Sequence, residues 1–378
     1  MLYLDHAASG PVRAEVREAM LPFLGDRFGN PSSHHTVGED AAGALEDARR
    51  RVAAVLGMRP GDVVFTSGAT EANNLAIKGV AVAALLRHGR PGHVVTTAIE
   101  HESVLASVDH LERVHGVRAT RLPVDPHGVL DPAVLAGALQ DDTVLVSVGY
   151  ANNEIGTVQD AAALAAVTAG SRVPFHLDAV QAAGWLPLSG IGADALSLAG
   201  HKIGAPQGVG VLAIRGRVPL EPVLHGGGQE RDRRSGTQNV AGAVGFALAL
   251  ELAERERDAA ARVTVLRDAF VARVQALVPE AVPTGHPTRR LPGTASFTFA
   301  GVSGEAVLLE LERRGVVSSS GSACAAGSDE PSHVLVALGI APEVAQSSVR
   351  FSFGPHAAGD PTGIADAVAA SVAAVRSR

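Results

Sequence analysis

Short apolar runs recur between residues 63 and 216, and segments with a helical pattern separate them. The runs are rich in Val, Ile, Leu and Thr and occur in VVFTSGATE, HVVTTAIEH, TVLVSVGYANNE, VPFHLDAVQ, ADALSLAGHK and GVGVLAIRG. Continuous apolar runs of this length predict strands that are covered on both faces, as in a parallel sheet. The segment LDPAVLAGALQ predicts a helix with Asp131 as N-cap and Pro132 at its first position. Strands that alternate with helices predict an α/β fold.

The pattern changes after Thr237. Residues 238–277 predict one long Ala-rich helix, and LPGTASFTFAG, GEAVLLELERRG and SSVRFSFGP predict a strand, an amphipathic helix and another strand. This order is typical of a smaller α+β domain that a long helix joins to the first. We therefore expect a large α/β domain over residues 15–255 and a small domain formed by residues 1–14 and 256–378.

Composition and charge exclude several classes of function. The 378 residues carry 32 Lys and Arg against 39 Asp and Glu, a net charge of −7, which argues against a nucleic-acid partner. The first residues, MLYLDHAASG, lack the basic and apolar regions of a signal peptide, and charges interrupt every apolar stretch before it could span a membrane. We therefore expect a cytoplasmic protein that binds no membrane.

The chain contains one cysteine, Cys324, so it can form neither an internal disulfide nor a metal cluster of cysteines. His34 and His35 are adjacent rather than one helical turn apart, which does not favour a metal site. Cys324 lies in GVVSSSGSACAAGSDEPSHV, where Ser, Gly and Ala offer no apolar cover. Such a segment predicts an exposed loop, and a cysteine there is more typical of a reactive thiol than of a core residue.

Polar residues follow the predicted strands at their carboxyl ends, where ligands bind in open α/β sheets. They are Thr66 to Thr70 after the first strand, His101, Asn153, Asp178 with Gln181, and His201 with Lys202. Because the carboxyl ends of parallel strands meet at one edge of a sheet, these residues predict a single site.

Three of these segments have a chemical interpretation and a simpler one. SGATEANN opens a helix and suits a phosphate, although Ser67 or Thr70 as an N-cap would explain it equally. Lys202 precedes a Gly-rich loop and suits a Schiff base with a carbonyl cofactor, although an ordinary surface lysine fits too. Asp178 ends a buried strand and suits a pyridinium nitrogen, although it could instead cap the next helix.

Taken together, ten segments of the chain resemble the cysteine desulfurases of the class V aminotransferase family, which are fold-type I pyridoxal 5'-phosphate (PLP) enzymes. The segments are YLDHAAS (3–9), FGNPSSHHTVG (28–38), FTSGATEANNLAIKG (65–79), IEHESVL (99–105), SVGYANNEIGTVQ (147–159), FHLDAVQAAG (175–184), SLAGHKIGAPQGVG (197–210), GGGQERDRRSGTQNV (226–240), SSGSACAAGS (319–328) and SVRFSFG (348–354). The resemblance covers almost the whole chain. It implies a large domain with a mostly parallel seven-stranded sheet and a smaller α+β domain.

The resemblance also implies a set of cofactor contacts. Lys202 would bind PLP covalently, Asp178 would pair with its pyridine nitrogen, and His101 would stack on the ring and move protons. The other contacts would be Asn153 and Gln181 at the ring oxygen, Ala69, Thr70 and His201 at the phosphate, and Thr237 at the phosphate of the neighbouring subunit. The role of Thr237 implies a homodimer with composite sites.

For the reaction, the resemblance implies conversion of L-cysteine to L-alanine. Asn153 and Arg350 would bind the substrate carboxylate, and Cys324 would take the sulfur as a persulfide. An acceptor protein, for example an iron–sulfur scaffold, would then receive it for iron–sulfur cluster assembly, tRNA thiolation or a related pathway. The long segment between Cys324 and His333 resembles the housekeeping and nitrogenase-type branch of the family.

The sequence departs from the family pattern near the predicted phosphate site. Ala199 stands where the family usually has Ser, and IGAPQG follows Lys202 in place of a Gly-Pro-Lys-Gly run. His6 and Ser9 replace the usual Asn and Thr of the opening motif. Loss of the Ser hydroxyl predicts weaker retention of PLP, because a hydrogen bond to a charged group is worth roughly 1.5–3 kcal/mol.

Three other functions remain to be distinguished from cysteine desulfuration. Another class V PLP aminotransferase would not need SSGSAC, so Cys324 disfavours it. A selenocysteine lyase would use the same residues and stays open. A sulfur-carrier scaffold without catalysis is disfavoured by the presence of Lys202, Asp178 and His101.

Overall fold

The computed structural model describes residues 1–320 and 330–377. Its strands are β1 (Leu2–Tyr3), β2 (Val63–Thr66), β3 (His93–Thr97), β4 (Arg118–Leu122), β5 (Thr143–Gly149), β6 (Phe175–Asp178), β7 (Ala195–Ala199), β8 (Gly210–Ile214), β9 (Ala281–Pro283), β10 (Thr294–Phe299), β11 (Val316–Val317) and β12 (Val349–Ser352).

The helices are α1 (Ala14–Leu24), α2 (Thr36–Leu56), α3 (Ala69–His88), α4 (Glu102–His115), α5 (Pro132–Ala138), α6 (Ala161–Ser171), α7 (Gln229–Asp232, a distorted turn), α8 (Val240–Arg255), α9 (Ala259–Leu277), α10 (Gly304–Arg313), α11 (His333–Ala337), α12 (Pro342–Ala345) and α13 (Thr362–Arg376). Within the described ranges, none of these helices is long and apolar enough to cross a membrane. As predicted, Asp131 caps α5 by accepting a hydrogen bond from Ala133 N, and Pro132 is its first residue.

A seven-stranded sheet with the order β2-β8-β7-β6-β5-β3-β4 forms the centre of the larger part of the chain. The five strands β3 to β7 are all parallel to one another. Strand β8 is antiparallel to both of its neighbours, β2 and β7. The predicted mostly parallel sheet is therefore confirmed. The sequence pattern missed β4, an edge strand whose residues RATRL are largely polar and mostly not buried.

Helices cover both faces of this sheet and form a separate apolar core on each face. Alternate strand residues enter opposite cores: Val94 and Leu145 pack with α3 and α4, whereas Val95 and Val146 pack with α2, α6 and α8. This explains why the strands read as continuous apolar runs. Asp178 follows the same alternation and lies on the face that α3 and α4 cover, since its neighbour Leu177 belongs to the other core.

A third core surrounds the antiparallel sheet β12-β10-β9 and the helices α9, α10 and α13. The rings of Phe270, Phe297 and Phe351 meet there edge to face, with ring centroids 5.1–6.3 Å apart. Leu4 from the start of the chain also packs into this core. The domain boundaries near residues 14 and 255 stay a prediction.

The predicted single helix over residues 238–277 is wrong, because it is interrupted between α8 and α9. Glu256 lies at the interruption, where its carboxylate pairs with Arg13 at 2.7 Å. Helix α8 packs into one of the two cores of the seven-stranded sheet, whereas α9 packs into the third core. The break therefore coincides with the passage of the chain from one core to the other.

Candidate active site

A cavity of about 950 Å³ opens at the carboxyl ends of β3, β5, β6 and β7. It brings together most of the residues that the sequence analysis singled out. These are Ala69, Thr70, His101, Asn153, Asp178, Gln181, His201, Lys202 and Arg350. Their convergence follows from the topology, since parallel strands end at the same edge of the sheet.

Asp178 is the last residue of β6 and is buried in the cavity. Its Oδ2 accepts a hydrogen bond from Asn73 Nδ2 at 2.7 Å, and its Oδ1 accepts one from Val180 N at 3.1 Å. A carboxylate at the end of a strand is thus held by two donors, one of which comes from α3. The contact with Val180 matches the simpler interpretation of Asp178 as a local cap, and its pairing with a pyridinium nitrogen stays a prediction.

His101 is the N-cap residue of α4, where its Nδ1 accepts a hydrogen bond from Ser103 N at 3.0 Å. The Ser103 hydroxyl lies 2.8 Å from the same nitrogen. Burial lowers the pKa of His101, and nearby Lys202 lowers it further against the opposing effect of Asp178. The imidazole is therefore neutral near pH 7.

Lys202 ends a short 3-10 helix, Gly200–Lys202, which follows β7. Its Nζ donates a hydrogen bond to Ala8 O at 2.7 Å and another to Ala7 O. Gln181 Nε2 also donates to Ala7 O, at 3.0 Å. The amine thus lies against carbonyl groups of the opening segment of the chain, which the sequence had placed in the site only through its resemblance to the family.

The predicted phosphate end combines the start of α3 with the loop before β8. Gly68 is the N-cap of α3 and provides no side-chain cap, so the helix presents its first N–H groups and the positive end of its dipole. A Cβ at Gly210 would lie 2.6 Å from Gly68 Cα, so this close approach requires glycine. His201 Nδ1 lies 3.3 Å from Ser9 Oγ, and burial lowers the pKa of His201 to about 4. A neutral imidazole and a Ser hydroxyl therefore stand near the site of Ala199.

Arg350 lies on β12 and is almost fully buried. Its Nη2 forms an ion pair with Asp5 Oδ1 at 2.6 Å, and its Nη1 donates to Asn153 O at 2.8 Å. The sequence analysis predicted Arg350 as a carboxylate-binding residue but did not identify Asp5 as its partner. The guanidinium is therefore already oriented by one carboxylate of the chain.

Two further residues of the cavity were missed by the sequence analysis. Glu100 is fully enclosed, accepts a hydrogen bond from Thr97 Oγ1 at 2.5 Å, and has its pKa raised to about 8 by burial. His333 Nε2 donates to Glu100 O at 2.9 Å, which attaches the start of α11 to the cavity. The position of Glu100 next to His101 in IEHES was the signal that could have revealed it.

Cys324 lies outside the described residues. The described residues on either side of that segment lie beside the cavity: Ser319 forms a two-way backbone bridge with Arg350, and Ser332 Oγ donates to Glu154 at 2.5 Å. Thr237 is exposed and does not line the cavity of its own chain.

Comparisons with known proteins agree with this geometry. The sequence profile of the class V aminotransferase family matches residues 2–360. The cysteine desulfurase IscS of Dictyoglomus turgidum is 45% identical over 93% of this chain and 89% of its own length. A NifS-like protein of known structure has a TM-score of 0.88 at 34% identity, over 100% of this chain and 98% of its own. The structure of SspA in complex with cysteine has a TM-score of 0.80 at 34% identity, over 95% of this chain and 100% of its own. This chain therefore belongs to the cysteine desulfurases of the class V aminotransferase family.

Proposed function

We propose that this chain converts L-cysteine to L-alanine with bound PLP and passes the sulfur to Cys324 as a persulfide. The observation that carries the proposal is the presence of Lys202, Asp178 and His101 in one cavity at the carboxyl edge of the sheet. The likeness to SspA in complex with cysteine supports cysteine as the substrate.

The residues of the cavity fit the three reactive parts of PLP. The amine of Lys202 suits the aldehyde, the buried carboxylate of Asp178 suits the pyridine nitrogen, and the open first turn of α3 suits the phosphate. Ala69 and Thr70 in that turn, with His201, would hold the phosphate. When bound, the cofactor would accept the electron pair left behind as a proton leaves the substrate Cα.

Lys202 would act as the base that moves the Cα proton of cysteine, because a lysine freed from a carbonyl compound carries a neutral amine in a desolvated site. The carbonyls of Ala7 and Ala8 already orient this amine. Asp178 would keep a proton at the pyridine nitrogen through its negative charge. Gln181 and Asn153 would contact the ring oxygen, as in the family pattern.

Arg350 would bind the carboxylate of cysteine. A guanidinium has five N–H donors, and the contacts with Asp5 and Asn153 O fix its plane before substrate arrives. A second carboxylate can then add to an oriented cation rather than to a mobile one. The backbone of Asn153 takes part in this orientation, and its side chain would complete the substrate contact.

For the sulfur transfer, the thiolate of Cys324 would attack the sulfur atom of cysteine. A new S–S bond forms and the Cβ–S bond breaks, and the electron pair of the broken bond stays with the substrate carbon. That carbon takes up a proton and becomes the methyl group of alanine. Only the thiolate is nucleophilic enough for this step, so its formation depends on a base or a cation beside it.

We further propose a homodimer in which the exposed Thr237 contacts the phosphate in the neighbouring subunit. An acceptor protein would remove the persulfide sulfur. Which acceptor it is depends on surfaces outside the cavity.

The proposal is tested by incubating purified protein with PLP and L-cysteine and measuring alanine and protein-bound persulfide together. Equal amounts of both are expected, and Cys324→Ala should abolish both while cofactor absorbance stays unchanged. Formation of pyruvate, or of a transamination product without persulfide, would show that the reaction is a different one. Borohydride should attach the cofactor to wild type but not to Lys202→Ala.

A further inference from the structure

A chain of buried hydrogen bonds joins Asp178 to His101 through two residues that the proposed mechanism does not use. Asn73 Nδ2 lies 2.7 Å from Asp178 Oδ2 and 2.9 Å from Ser103 Oγ, and Ser103 Oγ lies 2.8 Å from His101 Nδ1. Asn73 is 1% exposed and Ser103 is 7% exposed. Water therefore does not replace any of these partners, and the direction of each hydrogen bond can be worked out.

The Asn73 amide has one possible orientation. A carboxylate oxygen can only accept, so the group 2.7 Å from Asp178 Oδ2 must be the amide NH₂. One of its two hydrogens goes to Asp178 and the other to Ser103 Oγ. The carbonyl Oδ1 of Asn73 is buried and has no hydrogen-bond partner among the described residues. A flipped amide would place that oxygen against the carboxylate, which is repulsive.

The Ser103 hydroxyl is then oriented as well. Because its oxygen accepts from Asn73, its hydrogen is available for His101 Nδ1, 2.8 Å away. The backbone N–H of Ser103 donates to the same nitrogen at 3.0 Å. Two donors on one imidazole nitrogen require that this nitrogen carry no proton, so in the neutral ring the proton is on Nε2.

We infer that Asn73 and Ser103 are positioning residues that fix His101 as the Nε2–H tautomer and join its orientation to that of Asp178. Its catalytic meaning rests on the proposed function, whereas the tautomer itself does not. A neutral His101 fixed in this way can donate a hydrogen bond or a proton from Nε2. It can take up a proton only at Nδ1, and doing so displaces Ser103.

Several charged or titratable groups face His101 and affect how readily it is protonated. Asp178 and Glu102 favour the charged ring, whereas Lys202 and His333 oppose it. None of them donates to Nδ1, so they do not decide which nitrogen carries the proton. The position of the proton therefore depends on the hydroxyl and the backbone N–H of Ser103, and the hydroxyl is oriented by Asn73.

The experiment is nitrogen NMR of full-length purified protein labelled with ¹⁵N only in histidine, with His101→Gln used to assign the His101 signals. In wild type we expect a protonated Nε2 and an unprotonated Nδ1. In Ser103→Ala the neutral ring loses one donor, so the pKa of His101 should rise by about half to one pH unit. Ser103→Thr keeps the hydroxyl and should restore the wild-type value.

Ser107→Ala is the matched control, because Ser107 is buried on the same helix and its hydroxyl donates to Ser103 O rather than to His101. It should leave the tautomer and the pKa of His101 unchanged. A proton on Nδ1 in wild type would overturn the inference, as would an unchanged pKa in Ser103→Ala. The wild-type tautomer needs no variant, so the inference stays testable if a variant fails to fold.

The result separates this inference from the proposed function. A protonated Nε2 in a protein that forms no alanine from cysteine would leave the network correct and the proposed function wrong. Formation of alanine and persulfide by a protein with the proton on Nδ1 would leave the proposed function correct and the role of the network wrong.

Discussion

Two walls of the cavity are held by different forces. The sheet wall consists of Asp178, Asn73, Ser103 and His101 and lies at the carboxyl ends of the strands of the seven-stranded sheet. Hydrogen bonds between carboxylate, amide, hydroxyl and imidazole groups join these residues. The chain-end wall consists of Asn153 and Arg350 together with Asp5 behind them, and its principal contact is the partly buried ion pair of Arg350 with Asp5.

The two walls also differ in how far apart their partners are in the sequence. Asn73 and Asp178 are 105 residues apart, on a helix and on a strand of the sheet that this helix covers, whereas Asp5 and Arg350 are 345 residues apart. The sheet wall can keep the same partners throughout a reaction. Arg350 must instead accept a second carboxylate beside Asp5. From this difference we expect substitutions in the sheet wall to act mainly on kcat, and substitutions in the chain-end wall to act mainly on KM and stability.

The largest expected effect is on the sheet wall. Asp178→Asn removes the charge that would hold a proton at the cofactor ring, and we expect kcat for alanine formation to fall roughly 10²–10³-fold. The measurement is steady-state kinetics with cofactor in excess. If KM rose while kcat stayed the same, the proposed division between the two walls would be wrong.

On the chain-end wall, Asp5→Ala leaves the buried guanidinium of Arg350 without its carboxylate. We expect the free energy of unfolding to fall by about 3 kcal/mol, because removing one partner of a buried ion pair leaves an uncompensated charge. Urea unfolding measures this, and KM for cysteine should rise. Asp40→Ala is the control, since the Arg27–Asp40 pair is exposed and contributes little. Equal effects of both substitutions would contradict the role of burial.

Glu100, which precedes His101 of the sheet wall, should make the stability of the protein depend on pH. Its pKa is raised from 4.5 to about 8 in the folded protein, so the folded state binds the proton more tightly than the unfolded chain. The stabilising contribution of this carboxyl is present below about pH 4.5 and is lost as pH rises toward 8. Relative to Glu100→Gln, wild type should lose up to about 1.4 kcal/mol of unfolding free energy per pH unit in that range. Parallel stability curves of the two proteins between pH 5 and 8 would exclude this.

The smallest expected effect concerns the phosphate end. Ala199→Ser adds a hydroxyl where the family usually has one, and we expect the Kd for PLP to decrease about ten-fold, as one additional charge-assisted hydrogen bond allows. Titration of cofactor-free protein measures it. Ala205→Ser is the control, because Ala205 is also buried and lies six residues further along the chain, but does not line the cavity. An unchanged Kd in Ala199→Ser would mean that Ser9 and His201 already satisfy the phosphate.

The sheet and the residues at its strand ends could be predicted because an apolar strand followed by polar residues is a local pattern. His101, Asp178 and Lys202 each follow such a strand. The edge strand β4 and the break at Glu256 could not be predicted, since β4 lacks an apolar run and the break depends on a change of core.

The partners of these residues were harder to predict than the residues themselves. Asn73 lies inside a helix pattern, and nothing nearby in the sequence shows that its amide meets Asp178. Asp5 and Arg350 each stand in a motif, yet only the folded chain brings them within 2.6 Å. Residue types at strand ends are therefore readable from sequence, whereas the contacts that orient them depend on tertiary structure.

The opening segment has a consequence for biosynthesis. The backbone N–H groups of Leu2 and Leu4 donate hydrogen bonds to carbonyls within residues 315–317, and Ser352 N donates to Leu4 O. Asp5 forms its ion pair with Arg350. A ribosome makes these first residues long before their partners, so a nascent chain can build the parallel sheet while the pocket still lacks one wall. Cofactor loading before synthesis reaches about residue 352 would meet an amine at Lys202 but no oriented guanidinium. Completion of the substrate site is thereby coupled to near-completion of translation.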